Sequence, residues 1–297
     1  MPSLKDVKMK IVGVGKTKQI TKAMNMVASA KLRGAQSRIE RFRPYAEKFQ
    51  SVLGDLAAKS DGSAHPLLEH RENGQNVTII LVSSDRGLCG GFNAMLIAKA
   101  IDLARAKTAE GKTVRFICVG KKGRDAIRKS GYEIISDYPD VMGSFDYSLA
   151  TGIGKDVVGG YIARNMDEVY IIYGEFVSVA KQLSSVQLLL PVENVAAAKK
   201  EKAEAAEQAG EKTEYVYEPE VASLLAEILP RFVNVQIYRA LLDTSASENA
   251  ARMSAMDNAT RNCDEMAGAL TLLYNKTRQA SITNELIDIV GGAEALR

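Results

Sequence analysis

From Met24 onward, apolar and small residues recur at Met24, Ala28, Leu32, Ala35, Ile39, Phe42, Ala46, Phe49, Leu53 and Leu56. After the first step the spacings alternate four and three. That is a heptad seam kept up over more than four heptads, the pattern of a coiled coil rather than of a lone globular helix. Leu4, Val7, Ile11 and Val14 carry it back towards the start. The spacing predicts one helix of more than 50 residues, on the order of 80 Å long at about 1.5 Å per residue. Pro44 is expected to kink it or loosen one turn, because proline removes a backbone donor. The other end of the chain behaves alike. Val221, Leu225, Ile228, Phe232 and Val235 begin a stripe; Leu242, Ala246, Ala250, Met253 and Met256 continue it, then Cys263, Ala267, Leu270 and Tyr274. Its middle, SASENAARMSAMDNAT, is crowded with small residues that let two helix axes approach closely. Pro230 predicts that this helix begins near it or bends there. Either arm alone would leave an apolar seam in water, so each needs a partner. The nearest candidate is the other arm, running antiparallel.

Between the arms the period changes. VTIILVS (77–83), VRFICVG (114–120) and a weaker YEIIS (132–136) read as short buried strands, and FNAMLIAKAIDLARAK and KKGRDAIRKS as helices. Strand–helix–strand–helix implies a parallel sheet with right-handed crossovers. EVYIIYGEFVSV (168–179) and KQLSSVQLLLPV (181–192) read as an antiparallel hairpin on that sheet. The expected fold class is therefore α/β. A long antiparallel coiled coil of N-terminal (1–60) and C-terminal (221–297) helices flanks a central Rossmann-like α/β domain (61–220). Residues 196–214, charged and without an aromatic, form a low-complexity insert expected to be frayed.

Composition narrows the classes. Hydrophobic residues make up 46% and charged residues 25% of the 297, the proportions of a globular protein with a real core. No apolar run approaches the roughly 20 residues that span a bilayer. The start, MPSLKDVKMK, carries neither a signal-peptide core nor a transit-peptide composition. Cys89, Cys118 and Cys263 are scattered and match no disulfide framework or CxxC metal site. Residues 1–50 hold 12 Lys/Arg against 3 Asp/Glu, a balance of +9, whereas residues 221–297 hold 7 against 9, a balance of −2. A basic leading arm fits nucleic acid, an acidic protein partner or a merely solvated face.

Candidate chemistry mostly fails on spacing. GVGKT (13–17) looks like the end of a P-loop, but Lys10 stands where the first glycine belongs, and the surrounding residues follow the helical stripe. SSDRGLCGGFN (83–93) has the right strand–turn–helix context for a phosphate loop. Its glycines at 87, 90 and 91 nevertheless give G-x-x-G-G, and no acidic residue follows the second strand to hold a ribose. A tight structural turn, with Asp85 and Arg86 bridging the loop, is the stronger reading. His65 and His70, the only histidines, both sit in one polar linker, which argues against a metal cluster or a histidine base. No GxSxG or HExxH pattern occurs, and few aromatics accompany the basic arm. Pattern alone yields an α/β module with two coiled-coil arms, with a nucleotide-binding enzyme and a basic coiled-coil scaffold still open.

Three blocks carry a resemblance over nearly the whole chain: MPSLKDVKMKIVGVGKTKQITKAMNMVASAKLRGAQ, SSDRGLCGGFN, and the long run from ENAARMSAMDNATRNC to TRQASITNELIDIVGGAEAL. In order and spacing they resemble the γ subunits of F-type ATP synthases. The resemblance implies a central stalk that rotates inside the α/β hexamer and couples ion flow through the membrane sector to ATP synthesis or hydrolysis on β. It implies no active site and no cofactor, with α and β subunits, the ε subunit and the c-ring as partners. It also implies a peripheral position on the cytoplasmic face of a bacterial inner membrane. By similarity, polar contacts with β fall at Arg278, Gln279 and Thr283. Arg252 and Met24 lie at shaft positions. Lys22, Lys31 and Arg33 become candidates for acidic levers on β, with Cys89 in the nearby loop. ELIDIVGGAEAL is expected in an apolar sleeve, and Tyr215 and Tyr217 near the foot that meets ε and the c-ring. For Met24 and Met253 ordinary seam packing remains the stronger reading. Photosynthetic relatives carry a cysteine-bearing insert near 196–214; this one has no cysteine, which argues against a thiol switch.

Overall fold

The computed structural model describes residues 3–58, 65–71, 74–192 and 221–295. Helix α1 (Leu4–Ala58) has 55 residues and the last helix, α5 (Val221–Ala295), has 75. Both prolines lie inside them. Pro44 is exposed, and the carbonyl of Glu40 that loses its donor sits on an exposed turn, open to water. α5 starts well before Pro230, so that proline neither opens nor ends it. The chain divides into two compact units, Met1–Ala30 with Arg252–Arg297, and Lys31–Ala251.

The Lys31–Ala251 unit is built on a five-stranded sheet. Its strands are β1 (Asn76–Val82), β2 (Thr113–Val119), β3 (Glu133–Tyr138), β4 (Glu168–Phe176) and β5 (Gln182–Leu190). The order is β3-β2-β1-β4-β5. β1 runs parallel to β2 and β4, β3 runs parallel to β2, and β5 closes the edge antiparallel to β4, as the hairpin reading requires. Helices α2 (Phe92–Ala109) and α3 (Lys121–Lys129) cover one face. There Phe92, Leu96, Ala100 and Ile127 pack on Ile79, Leu81, Phe116 and Ile172. Each fully buried Leu, Ile or Phe contributes on the order of 1.5–3 kcal/mol relative to exposure.

The opposite face holds α4 (Tyr147–Ile162), a helix the periodicity reading leaves unassigned. Its signals are local. Asp146 caps it by accepting a hydrogen bond from the Ser148 amide, and Ile153, Val157 and Tyr161 repeat every four residues on the buried side. Gly154 is required there: a Cβ at that position would lie 1.8 Å from Asn234 Oδ1 on α5. The long helices enter this core too. Leu53 of α1 and Leu225, Leu229, Val233, Ile237 and Leu241 of α5 are buried with Ile80, Ile117, Val169 and Ile171 of the sheet. Residues 240–250 of α5 are buried on every side, polar ones included. The small residues there let the helix approach β4, where the Gly174 amide donates to Thr244 Oγ1 (3.1 Å) and Ser247 Oγ donates to the Gly174 carbonyl (3.0 Å).

In the other unit the two long helices run antiparallel. As α1 advances through Lys18, Thr21 and Asn25, its polar partners on α5 retreat through Asp264, Thr260 and Met253. Val7 and Ala28 are buried in this seam, with Ile11, Val14 and Met24 half-buried. On α5, Met256 is buried and Cys263, Ala267, Leu270 and Tyr274 are half-buried. The heptad pattern is thus the pattern of burial.

Gly34, in the Lys31–Ala251 unit, is an exposed glycine within α1, and a Cβ there would meet nothing within 4 Å. Gly34→Ala is expected to raise unfolding free energy by about 0.5–1 kcal/mol through the lower entropy of the unfolded chain. A higher urea midpoint at unchanged m-value checks this; an unchanged or lower midpoint counts against it.

Candidate functional site

The loop between β1 and α2 stands at the carboxyl edge of the sheet, where doubly wound folds bind phosphates. Here the chain's own side chains take those positions. Asp85 Oδ1 accepts from the amides of Lys121 (2.9 Å) and Asp140 (2.8 Å), and Oδ2 from that of Met142 (2.9 Å). The Gly123 amide donates to Ser83 Oγ (2.8 Å), the Lys122 amide to the Ser84 carbonyl (3.0 Å) and the Arg124 amide to the Gly120 carbonyl (3.3 Å). The first four amides of α3, the donors an anion would use, are all engaged. Gly120 makes the close approach feasible. Its φ is +92°, and a Cβ would sit 2.2 Å from the Ser83 carbonyl oxygen.

The rest of the loop is tied to α2. The Ser84 amide and hydroxyl both donate to Asn93 Oδ1 (3.1 and 2.9 Å), and Asn93 Nδ2 donates to Cys89 Sγ (3.2 Å). Cys89 is 2% exposed, so the loop presents Arg86 and Leu88 outward, the latter at a positive φ of 62° and 63% exposed. Burial pushes the Cys118 thiol up to about 12, leaving it unreactive near neutral pH. His65 Nδ1 accepts from the Leu67 amide, capping a short turn (Pro66–Leu68). Among the described residues no group of three or more His, Cys, Asp or Glu is placed to hold a metal. None of their helices is long and apolar enough to cross a membrane. GVGKT lies wholly within α1, where Thr17 Oγ1 donates to the Gly13 carbonyl.

The remaining candidates lie on the long helices. Lys22 is exposed, and Met24 and Arg252 are half-buried, all in the antiparallel unit. Lys31 and Arg33 are exposed on the stretch of α1 that belongs to the sheet-bearing unit, as does Cys89. Arg278, Gln279 and Thr283 are exposed on α5, with Thr283 Oγ1 donating to the Gln279 carbonyl (2.9 Å). Along the helix they stand on the order of 40 Å beyond Arg252, so these three and Arg252 share no pocket. Past them Ile282, Leu286, Ile287, Ile289 and Val290 are each at least 50% exposed, an apolar surface that calls for a cover. Tyr215, Tyr217 and the 196–214 insert lie outside the described residues. Periodicity misses the Asp85 network, because a carboxylate's three amide partners come from segments up to 57 residues away.

The family model described as ATP synthase matches residues 3–296. A protein named ATP synthase gamma chain in Nitratidesulfovibrio vulgaris (strain Hildenborough) is 66% identical over 297 residues, covering the whole of both chains. One of the same name in Lawsonia intracellularis is 62% identical over the same span. Among solved structures, a chain of the Euglena gracilis mitochondrial ATP synthase (OSCP/F1/c-ring, rotational state 3) superimposes with a TM-score of 0.70 at 21% identity, over 99% of this chain and 94% of that one. A chain of the Tetrahymena thermophila mitochondrial ATP synthase central stalk and c-ring gives 0.59 at 24%, over 81% and 99%. At such identities the structural likeness concerns the fold.

Proposed function

Since this chain belongs to the γ-chain family of ATP synthases, we propose that it is the central shaft of an F-type ATP synthase, turning inside an α/β hexamer and coupling ion flow to ATP synthesis or hydrolysis on β. The observation that carries the proposal is the full-length 66% identity to a γ chain, and the antiparallel pair of long helices supplies a stiff element suited to the task. The chain has no active site of its own. The side chains that fill the β1–α2 loop support that reading: Asn93, at the head of α2, bonds Ser84 and Cys89, and Asp85 bridges to three amides, in the place where the dinucleotide alternative would need a phosphate.

The division of labour follows the sequence: arms 1–60 and 221–297 enter the hexamer, and 61–220 form the foot towards ε and the c-ring. Arg278, Gln279 and Thr283 hold polar contacts with β. Arg252 and Met24 steady the shaft. Lys22, Lys31 and Arg33 slide past acidic levers, because complementary charge without deep burial attracts while permitting motion. Cys89 acts by anchoring the loop that carries Leu88. The exposed Ile282–Val290 stretch turns in an apolar bearing. The assembled chain is peripheral, on the cytoplasmic face of the inner membrane.

The test is to mix the chain with α and β subunits from the same organism and then rebuild the full synthase in vesicles. We expect a defined complex whose ATP hydrolysis depends on this chain, and a several-fold loss of protons pumped per ATP in Arg278→Ala/Gln279→Ala. A chain that ignores α and β, or that binds nucleotide tightly alone, would overturn the proposal.

A further inference from the structure

The seam of the antiparallel unit is apolar or small along most of its length, but one heptad of it is polar. Lys18, Thr21 and Asn25 follow one another at seam spacing on α1, between Val14 and Ala28. The hydroxyls of Thr21 and Thr260 are 2.8 Å apart; one donates across the seam while the other donates to its own helix, Thr21 to the Lys18 carbonyl (3.0 Å) or Thr260 to the Met256 carbonyl (2.8 Å). Asn25 Nδ2 donates to the Met253 carbonyl at 2.8 Å. Lys18 pairs with Asp264. Thr21 is only 8% exposed, so its hydroxyl is a buried polar group in a position where valine would pack as well.

Polar groups in such a seam weaken it relative to apolar ones and are kept where they specify register. The neighbouring contacts cannot do that job. Met253 and Met256 are flexible and repack readily, and Cys263 and Ala267 offer little relief for a knob to engage. Hydrogen bonds of 2.8 Å are different, because a shift of one residue breaks them. We infer that Lys18, Thr21 and Asn25, facing Asp264, Thr260 and Met253, form a register lock that keeps the two helices in one axial and rotational phase. The inference rests on the shaft reading for its purpose: torque makes paired helices slide and roll on each other, and an apolar seam resists this weakly. The exposed Lys18–Asp264 pair adds little energy; the Thr–Thr and Asn–carbonyl ties carry the lock.

The test separates register from stability. Spin labels are introduced as non-natural amino acids at exposed Lys16 and Glu265 of the full chain, and their distance distribution is measured by pulsed electron resonance. The wild type is expected to give one narrow distance. Thr21→Val/Asn25→Leu/Thr260→Val removes both ties while preserving volume, so thermal stability should hold or rise. The distance should nonetheless broaden or gain a second component. Thr21→Ser/Thr260→Ser, which keeps the hydroxyl pair, should remain narrow. A narrow single distance in the triple variant overturns the lock. If the triple variant does not fold, Asn25→Leu alone is read in the same way. These readouts need no partner subunit, so failure of the lock and failure to assemble with α and β are distinguishable. In the assembled synthase the triple variant should also pump fewer protons per ATP while its unloaded hydrolysis is unchanged.

Discussion

Asp243→Asn should stabilise the protein at pH 8 by about 1–3 kcal/mol and change little at pH 4. Asp243 lies in the all-round buried stretch of α5, with its side chain 10% exposed. Burial pushes its carboxyl up to about 6. Arg239, one turn back at 3.8 Å, and Arg43 on α1 oppose that shift, while Glu175 on β4 reinforces it. An acid whose folded pKa is raised favours folding most when it is protonated in both states. That contribution is complete below the unfolded value of 3.8 and is lost as pH rises through about 6. At about 1.36 kcal/mol per unit, the full difference is roughly 3 kcal/mol. Asparagine removes the charge and keeps the shape, so it escapes the loss at high pH but gains nothing where aspartate is already neutral. Urea titrations at pH 4 and pH 8 measure both differences. Equal stability of the two proteins at pH 8, or a variant equally stabilised at both pH values, would show that the carboxylate is not strained by burial.

The two arms, the sheet and the hairpin were legible because they are periodic. A heptad of apolar residues has one way to be buried, so Val7, Ala28, Leu32, Ala35, Ala46 and Leu53 are buried where the stripe puts them. Strands of continuous apolar residues, such as Val77–Val82, are equally explicit. α4 escaped because GIGKDVVGGYI combines glycines with β-branched residues, a composition poor in helix propensity. Packing on α5 and the Asp146 cap outweigh it. Pro44 and Pro230 both lie inside their helices, since long helices packed along a seam tolerate a single lost bond. The charged groups were the least legible. Asp243 reads in the sequence as one more polar residue on a helix; only the sheet packed against it makes it costly. The outward candidates, Arg278 and Gln279 among them, came from family resemblance, because an exposed side chain on an exposed helix has no intramolecular signature.

The loop that most resembles a phosphate site gives the other large effect. Asp85→Ala should destabilise the protein by about 2–4 kcal/mol, since a carboxylate accepting three backbone amides is lost at once. Asp85→Asn should cost roughly half as much: its one carbonyl oxygen can still serve the Lys121 and Asp140 amides, while its NH2 opposes the Met142 amide. The alanine variant also frees the Lys121 amide at the head of α3 together with the Asp140 and Met142 amides, three donors converging where the Asp85 carboxylate sat. Millimolar inorganic phosphate should therefore raise the melting temperature of Asp85→Ala and leave the wild type unmoved. Wild-type stability in the variant, or an equal response of both proteins to phosphate, would show that Asp85 does not fill an anion position. The expected result would show that the anion this strand–turn–helix is built to hold is a side chain of its own loop, tying three segments of the domain together.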